Sequence, residues 1–385
     1  MEIYDIIHGN IVIDTLAQRI IDTEEFQRLR NIKQLGCCNF VFPGAVHTRF
    51  EHSIGVYHLA KKYIDLLNVN DLYFTKREKE CISISGLIHD IGHGPYSHLF
   101  DDLFQEDKNH EYRSGELFKR MNTRYDLGFT KDEINDIINY IYPTNISIDP
   151  KIKYKYQIVS NKNGIDVDRF DYLMRDIKMT GLNYGIEYER IMNHSRIEGN
   201  EIVYSEKIKT NIEEFFRIRF IMYKDVYNHR TVRGIEFMMK DFIKLFSKIY
   251  SIDTIIKEDN WSLFNQLNDS IIHITNFTTC LPDEGDRLKE IIQKIMKRDI
   301  YKSIGEIHSA KDILNHIDYE KDKVIIDNII INYNDYEECK YYQDKKVVST
   351  IKEKEKEKLY IVRVYSKKNE FNEYADNIFK SLLPH

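Results

Sequence analysis

One stretch, Leu87–Phe100, constrains the fold of this chain more than any other, and it reads LIHDIGHGPYSHLF. It follows an apolar helical pattern that starts with a predicted capping box, Thr75 with Glu78. Gly92 and Pro95 prevent the helix from continuing, so the stretch lies at a helix C-terminus. The carbonyl end of a helix carries partial negative charge, which favours a bound cation. Candidate metal ligands are concentrated there: His89, Asp90, His93 and His98.

More distant residues turn this common His-Asp pair into a predicted metal site. His52 lies on a predicted helix, Thr48–Leu67. On another predicted helix, Asp166–Lys178, the residues Asp168, Tyr172 and Asp176 are spaced four residues apart and share one face. A histidine, a His-Asp pair and an aspartate from three helices give a mixed nitrogen and oxygen donor set that suits iron, manganese or zinc. The predicted ligands are His52, His89, Asp90 and Asp168.

Composition narrows the class of protein. The 385 residues carry a net charge of -6, so the overall balance gives no support to nucleic-acid binding through a uniformly basic surface. Five cysteines without CxxC spacing suggest a reducing compartment. The chain contains neither an apolar run of about eighteen residues nor a recognisable signal peptide. We therefore expect an intracellular, soluble protein of the cytoplasm or nucleus, without a membrane partner.

Helical periodicity dominates the chain to about His316, and the sequence then becomes rich in β-branched and aromatic residues. Val324–Tyr333 and Leu359–Tyr365 are predicted strands because β-branched and aromatic residues dominate them. Asn369–Leu383 follows as an amphipathic helix. The sequence thus predicts a mostly α fold with a small α+β lobe at the C-terminus.

Two upstream segments give further predictions that the structure can test. Glu24–Leu35 reads as one helix, capped by Thr23 and stopped by Gly36. Thr210–Tyr250 reads as a long helical region with a bend at Gly234.

The residues around these ligands carry a resemblance that is more specific than a His-Asp pair. Their order and surroundings are similar to those of the HD phosphohydrolases, and most of all to the SAM-and-HD-domain deoxynucleoside triphosphate triphosphohydrolases. The likeness runs from about Asp5 to Tyr227 and includes no SAM domain. Together with the change of sequence pattern after His316, it predicts an HD phosphohydrolase domain over 1–320 and a C-terminal α+β lobe over 321–385. The matching motifs are DIIHG (Asp5–Gly9), IIDTEEFQRLRNIKQLG (Ile20–Gly36), VFPGAVHTRFEHSIGV (Val41–Val56), LIHDIGHGPYSHLFD (Leu87–Asp101) and SNKNGIDVDRFDYLMRD (Ser160–Asp176).

The resemblance implies a reaction and a set of roles. Water attacks the α-phosphorus of a dNTP, whose phosphates bind Mg²⁺, and deoxynucleoside and triphosphate are released. Arg49 lies three residues before His52 and faces the same side of its helix, where positive charge can meet phosphate. Arg169 replaces a lysine of the family pattern. The implied catalytic residues are His110, oriented by Asp101, with His98 and His93. The implied substrate contacts are Arg49, Arg169 and Arg219 for phosphates, and Gln34, Leu35, Tyr172, Asp176 and Tyr227 for the sugar.

The same resemblance implies regulation. GTP or dNTP activators would bind between subunits and assemble a dimer into a tetramer. Three positions depart from the family pattern: Met1 replaces a lysine, Tyr4 an asparagine and Ser205 an arginine. The implied activator contacts are Asp22, Gln27 and Arg30 at a first site, and Val41, Phe42, Arg190, Lys207, Asn211 and His229 at a second.

Two other classes of protein remain open. An HD nucleotidase or phosphodiesterase of different scope would share the metal ligands without the sugar contacts. A catalytically weak nucleotide- or nucleic-acid-binding protein would need a degenerate site, and every predicted ligand position holds a competent residue.

Overall fold

The computed structural model describes residues 1–104, 108–143, 149–273, 283–314, 318–332, 339–343, 346–350 and 358–383. The helices are α1 (Thr15–Ile21), α2 (Glu24–Gln27), α3 (Arg49–Leu67), α4 (Lys76–Ile88), α5 (His98–Asp101), α6 (His110–Arg124), α7 (Lys131–Ile141), α8 (Lys153–Tyr156), α9 (Val167–Thr180), α10 (Tyr188–Asn193), α11 (Lys209–Met222), α12 (Arg230–Tyr250), α13 (Ile252–Lys257), α14 (Trp261–Phe264), α15 (Asp283–Met296) and α16 (Asn372–Leu382). The strands are β1 (Glu2–Asp5), β2 (Gly9–Val12), β3 (Ser195–Glu198), β4 (Glu201–Ser205), β5 (Lys302–Ser309), β6 (Val324–Asn332), β7 (Lys340–Gln343), β8 (Lys346–Thr350) and β9 (Lys358–Ser366). Short 3₁₀ turns cover Arg28–Asn31, Gly36–Phe40, Val69–Asp71, Pro150–Ile152, Glu206–Ile208 and Asn369–Phe371.

Helix α3 packs against both α4 and α9, and the predicted metal ligands lie on α3, on α9 and in the turn that follows α4. Local sequence fixes their ends. Thr48 and Thr75 begin α3 and α4 with capping boxes, and the Asp166 side chain caps α9. Gly181 ends α9 in the left-handed region, with φ of 76°. The predicted starts of all three helices are therefore confirmed, and His89 is the C-cap of α4.

An N-terminal hairpin lies against this helical core. Its strands β1 and β2 pair antiparallel, with Ile3 opposite Ile11. Ile11 is fully buried, whereas Tyr4 and Val12 are exposed on the other face of the hairpin. The turn between the strands covers residues 6–8 and brings Asp5 and His8 to the inner side of the hairpin.

The prediction of one helix over Glu24–Leu35 is wrong. The chain forms α2 and then a 3₁₀ turn, and the backbone becomes extended at Ile32. Long-range hydrogen bonds explain the early end, because Lys33 pairs with Thr48 and the Lys33 N–H donates to Asp269. Pairing with a distant segment overrides the local helical periodicity.

The predicted bend at Gly234 is also wrong. The break comes earlier, where a π-helical turn, Tyr223–Tyr227, follows α11 and separates it from α12. Gly234 lies within the second turn of α12, where a Cβ would be only 2.8 Å from the Tyr301 carbonyl oxygen. The glycine therefore allows close packing rather than bending.

The C-terminal lobe is built on a three-stranded antiparallel sheet in the order β5-β9-β6. One face of the sheet packs against α16 through Val362, Val364 and Ala375, and the other face contacts α11 and the π turn. Helical periodicity up to His316 was thus a wrong prediction for Lys302–Ser309, which forms an edge strand of this sheet. The change to β structure begins near residue 302.

A second small sheet joins the lobe region to the rest of the chain. Strand β7 pairs in parallel with β4, and β8 pairs with β7. The overall class is as predicted, a mostly α fold with a small α+β lobe. Among the helices within the described ranges, none is long and apolar enough to cross a membrane.

Candidate metal and phosphohydrolase site

The four predicted metal ligands lie together at the junction of α3, α4 and α9. The Nε2 atom of His52 is 3.2 Å from Nε2 of His89 and 3.1 Å from Oδ1 of Asp168. His89 Nε2 is 3.5 Å from the same Asp168 oxygen and 3.4 Å from Oδ1 of Asp90. Ligand atoms that each lie about 2.1 Å from one metal ion are separated by roughly 3 Å. The donor set therefore fits a single divalent ion.

Hydrogen bonds from the far side of each imidazole fix which nitrogen faces the site. The Nδ1 atom of His89 lies 2.8 Å from the Gly86 carbonyl oxygen, which can only accept a hydrogen bond. The Nδ1 atom of His52 lies 2.7 Å from Oδ2 of Asp171. Both Nδ1 atoms therefore carry a proton, and both Nε2 atoms point toward the shared donor set, where a bound metal ion would take the place of a second proton.

The charges of the site attract a cation. Burial lowers the pKa of His52, but hydrogen bonds with Asp168 and Asp171 outweigh burial and raise it to about 10. Burial raises the pKa of Asp90, yet the neighbouring Arg49 guanidinium holds that pKa well below its usual range. The Arg49 guanidinium donates to Asp90 over 2.5 Å and to the Ser97 hydroxyl over 2.8 Å. The ionised carboxylates would stabilise a positively charged ligand here, and a divalent metal ion is such a ligand.

A second group of polar side chains lies beside the metal donors. His110 Nδ1 donates to Oδ2 of Asp101 over 2.6 Å, and Arg113 holds the other Asp101 oxygen. Burial raises the pKa of Asp101, but the His110 hydrogen bond and the charge of Arg113 outweigh it and lower the pKa. The rings of His93 and His110 stack with 3.9 Å between centroids. Asp101 thus orients His110 and leaves its Nε2 atom for proton exchange.

The turn after α4 depends on a glycine. A Cβ on Gly92 would lie 2.2 Å from the His110 carbonyl oxygen and 2.4 Å from the Ser114 backbone nitrogen. The buried Ser114 hydroxyl donates to the His89 carbonyl oxygen and accepts from the Gly92 N–H. This close contact brings α6, which carries His110, against the metal-binding turn.

Many of the predicted catalytic and substrate residues line one cavity of about 130 Å³. Those in the cavity wall are Gln34, Arg49, His89, Asp90, His93, His98, His110, Asp168 and Tyr172, together with Glu111, Ile141, Val159 and Ser160. Leu35, Asp101, Arg169, Asp176, Arg219 and Tyr227 lie outside this wall.

The predicted sugar contacts Asp176 and Tyr227 touch each other. The Tyr227 hydroxyl donates to Oδ2 of Asp176 over 2.6 Å, and Nε2 of the buried His47 donates to Oδ1 over 2.7 Å. Arg169 contacts the Asp166 carboxylate, and the Arg219 guanidinium lies over the ring of Tyr223 at 4.6 Å. Both oxygens of Asp176 therefore already have protein partners.

The predicted activator residues lie outside the catalytic cavity and form small contact groups. Arg30 donates to Gln27 over 2.8 Å, and Asp22 lies at the end of α1 just before α2. The Phe42 and His229 rings meet edge to face at 5.7 Å, and Arg190 donates to Asn211 over 3.2 Å. Val41 follows the Gly36–Phe40 turn, and Lys207 lies in the Glu206–Ile208 turn.

Sequence reasoning missed several buried partners of the site. Asp5, His8 and His47 lie within motifs that carry the resemblance, and Asp171 lies three residues after Asp168. Their presence in these motifs was the only signal, because nothing in the local sequence shows which distant side chain they meet. Ser114 and Arg113, on α6, carried no such signal.

Comparisons with known proteins agree with this geometry. Residues 49–176 match the HD domain family. An HD domain-containing protein of Acanthamoeba polyphaga mimivirus is 40% identical, with 78% of this chain and 72% of that protein aligned. The deoxynucleoside triphosphate triphosphohydrolase SAMHD1 homolog of Dictyostelium discoideum is 36% identical over 80% of this chain and 61% of its own length. Human SAMHD1 is 34% identical over 84% of this chain. The chain spans about three fifths of the length of these two relatives.

Proposed function

The chain belongs to the HD-domain family that includes the SAMHD1 deoxynucleoside triphosphate triphosphohydrolases, and we propose that it hydrolyses dNTPs to deoxynucleoside and inorganic triphosphate. One observation carries the proposal, namely that one cavity is lined by three of the four metal donors, His89, Asp90 and Asp168, by the buried Arg49, and by His110, which Asp101 holds from behind. Hydrolysis of a phosphate ester needs an activated water, positive charge and a proton donor, and this cavity offers a group for each.

The proposed roles follow from the chemistry of each group. His52, His89, Asp90 and Asp168 would hold iron, manganese or zinc, and such an ion would supply an activated water because it lowers the pKa of bound water by several units. Arg49 faces the phosphates, which enter with Mg²⁺. His110 protonates the departing 5′ oxygen. Water adds to the α-phosphorus as the bond to that oxygen breaks, so dNTP and water give deoxynucleoside and triphosphate.

Product analysis tests this reaction. Purified protein is incubated with each dNTP in ¹⁸O-water, and the products are identified by mass spectrometry. We expect deoxynucleoside without label and triphosphate carrying one ¹⁸O atom, because the water attacks phosphorus. A primary product of dNMP with pyrophosphate, or of free orthophosphate, would assign the protein to the alternative class of HD nucleotidases or phosphodiesterases.

Sugar selection provides a second test with a matched pair of variants. Tyr227 is proposed to exclude ribonucleotides by the bulk of its ring at the 2′ position. Tyr227→Phe keeps that ring and removes only the hydroxyl bond to Asp176. We therefore expect Tyr227→Ala to narrow the ratio of dATP to ATP turnover, and Tyr227→Phe to keep most of it. Equal ratios in all three proteins would contradict the steric role.

Regulation by nucleotides is the finer part of the proposal. GTP or a dNTP is proposed to bind at Asp22, Gln27 and Arg30 and to favour a tetramer, because ligand that binds only an assembled state shifts the population toward it. A carboxylate can accept two hydrogen bonds from the N1 and 2-amino groups of guanine, a pattern that adenine lacks. The contact between Gln27 and Arg30 supports a shared role. Met1, where a lysine would meet the phosphates, should raise the GTP concentration required.

The activator proposal is tested by sedimentation and dATP turnover with and without GTP. Asp22→Ala should remove GTP stimulation and leave metal content intact. Glu24→Ala is the matched control, since Glu24 is a nearby exposed carboxylate that pairs with Arg124. Equal turnover and equal size with and without GTP, in wild-type protein free of bound nucleotide, would defeat this part and leave a constitutive enzyme.

A further inference from the structure

A buried carboxylate on the far side of His52 makes four hydrogen bonds with three side chains. Oδ2 of Asp171 lies 2.7 Å from Nδ1 of His52, and Oδ1 lies 2.7 Å from Nε2 of His8. Arg175 donates to both oxygens, each over 2.9 Å. Asp171 and Arg175 are fully buried, and the His8 side chain is only 1% exposed. No solvent competes for these bonds.

The same network reaches the N-terminal hairpin. Arg175 donates to Oδ2 of Asp5 over 2.8 Å. Oδ1 of Asp5 accepts the backbone N–H groups of Ile7 and His8, at 2.8 and 2.9 Å. The turn that carries His8 is therefore tied to Arg175 at one side and to Asp171 at the other.

Packing leaves this arrangement little freedom. A Cβ on Gly55 would lie only 1.9 Å from Oδ1 of Asp171 and 2.7 Å from Nη2 of Arg175. Gly55 lies on α3, almost one turn after His52, so the absence of a side chain there admits the carboxylate. A buried ion pair is stabilising only when its remaining hydrogen-bonding sites are filled, and here both carboxylates and the guanidinium have partners.

An ionised carboxylate can only accept hydrogen bonds, so Asp171 keeps the proton of His52 on Nδ1. The Nε2 lone pair of His52 then faces His89 and Asp168. His89 obtains the same tautomer from a backbone carbonyl, which cannot be removed by a side-chain substitution. Of the two groups that bond the Nδ1 atoms of the metal-binding histidines, Asp171 is therefore the one that a side-chain substitution can remove.

We propose that Asp171, held in place by His8, Arg175 and Asp5, is a positioning residue for the metal ligand His52, and that the N-terminal hairpin is thereby part of the metal centre. The inference rests on the proposed function only through the metal site, and not through the identity of the substrate. Loss of such outer partners weakens metal binding about 10- to 100-fold in other metal centres.

Asp171→Asn is the first test, because it keeps the shape of the side chain. Its amide NH₂ must face either His52 or His8, and in both orientations it meets an N–H of Arg175. We expect metal affinity to fall about 10- to 100-fold, measured by competition with a chromophoric chelator. The visible spectrum of the Co²⁺-substituted protein should also change, a readout that a purely structural role would leave unaltered. Affinity within twofold of wild type would overturn the proposal.

A matched pair of substitutions at His8 tests the same proposal if Asp171→Asn fails to fold. His8→Gln retains a donor for Asp171, whereas His8→Phe retains only a planar ring. We expect His8→Phe to lose metal affinity and His8→Gln to recover part of it. Tyr188→Phe is the control, since Tyr188 lies edge to face against His8 at 6.3 Å but has no bond to Asp171. Equal affinity in His8→Phe and wild type would overturn the role of the hairpin.

These measurements separate the inference from the proposed function. A wild-type protein that binds metal but hydrolyses no dNTP contradicts the function and leaves the inference to be decided by the variants. A wild-type protein that binds no divalent ion overturns the inference directly.

Discussion

Two groups of histidines and aspartates lie on either side of Asp90, and both bring their donor atoms within 4.8 Å of one another. One consists of His52, His89 and Asp168, and the other of His93, His98, Asp101 and His110. Proximity alone would therefore assign a metal ion to each.

Orientation separates the two groups. In the first, both Nδ1 atoms are bonded to acceptors, so the Nε2 lone pairs converge on the Asp168 oxygen. In the second, the His93 and His110 rings are stacked with 15° between their planes, so their in-plane lone pairs run side by side. Both oxygens of Asp101 are occupied, one by His110 and one by Arg113. The first group suits a metal ion and the second suits proton transfer, and the outer hydrogen bonds make the difference.

The largest expected effect comes from removing a ligand of the first group. His89→Ala with Asp90→Ala should abolish both the bound metal, about one equivalent per chain in wild type, and turnover. Elemental analysis of purified protein checks the metal.

A control addresses the charge left behind. Asp90→Ala leaves the buried Arg49 without its carboxylate, which destabilises the fold. His89→Gln keeps that ion pair and should still lose the metal. Turnover of dNTPs by wild-type protein stripped of metal and held in chelator would show that the first group has no catalytic ion.

The second group should behave in the opposite way. His110→Gln removes the proposed acid and should lower turnover by about 10²- to 10⁴-fold. Metal content should stay at the wild-type value, because His110 contributes no donor to the first group. Paired measurement of metal content and single-turnover rate checks this prediction. Loss of metal in His110→Gln would mean that the two groups form one centre, and the comparison would fail.

The sequence predicted which residues of the first group lie together, and it did so less well for the second. Caps at Thr48, Thr75 and Asp166 are local signals, and they set helices α3, α4 and α9 correctly. The spacing of histidines and aspartates then predicted the metal donors that the structure brings together. By contrast, His110 on its own reads as a surface histidine, and only the resemblance paired it with Asp101.

The parts that could not be predicted depend on contacts between distant residues. His8 and Asp171 are 163 positions apart, and His47 and Asp176 are 129 apart. Periodicity describes one element at a time, so it cannot show which buried polar groups meet. The same limit explains the wrong helix over Glu24–Leu35, since the bond from Lys33 to Asp269 spans 236 positions.

A smaller effect, on stability, is expected where α6, which carries His110, packs against the turn that carries His89. Ser114 joins them, and Ser114→Ala would leave the buried Gly92 N–H without an acceptor. An unsatisfied buried donor costs about 1–3 kcal/mol, so the free energy of unfolding in urea should fall by that amount. Ser85→Ala is the control, because the Ser85 hydroxyl is equally buried but only donates to a carbonyl of its own helix. Equal losses of unfolding free energy in both variants would mean that the bond between Ser114 and Gly92 contributes no additional stability.

The smallest effect concerns a third contact between histidines, which belongs to neither group. The His58 ring lies 5.3 Å from that of His8, and burial, with the charges of His8 and Lys62, lowers the pKa of His58 to about 4. An unfolded chain protonates this histidine below about pH 6.5. Between those values the unfolded state binds the extra proton, so the stability due to neutral His58 is present above pH 6.5 and is lost as the pH falls toward 4.

His58→Asn should therefore lose less stability than wild type between pH 7.5 and pH 5. Because His58 is partly exposed and solvent screens its charge, we expect a difference of about 1 kcal/mol. Urea unfolding of both proteins in excess chelator measures it without interference from metal binding. Identical pH dependence in the two proteins would mean that folding does not lower the pKa of His58.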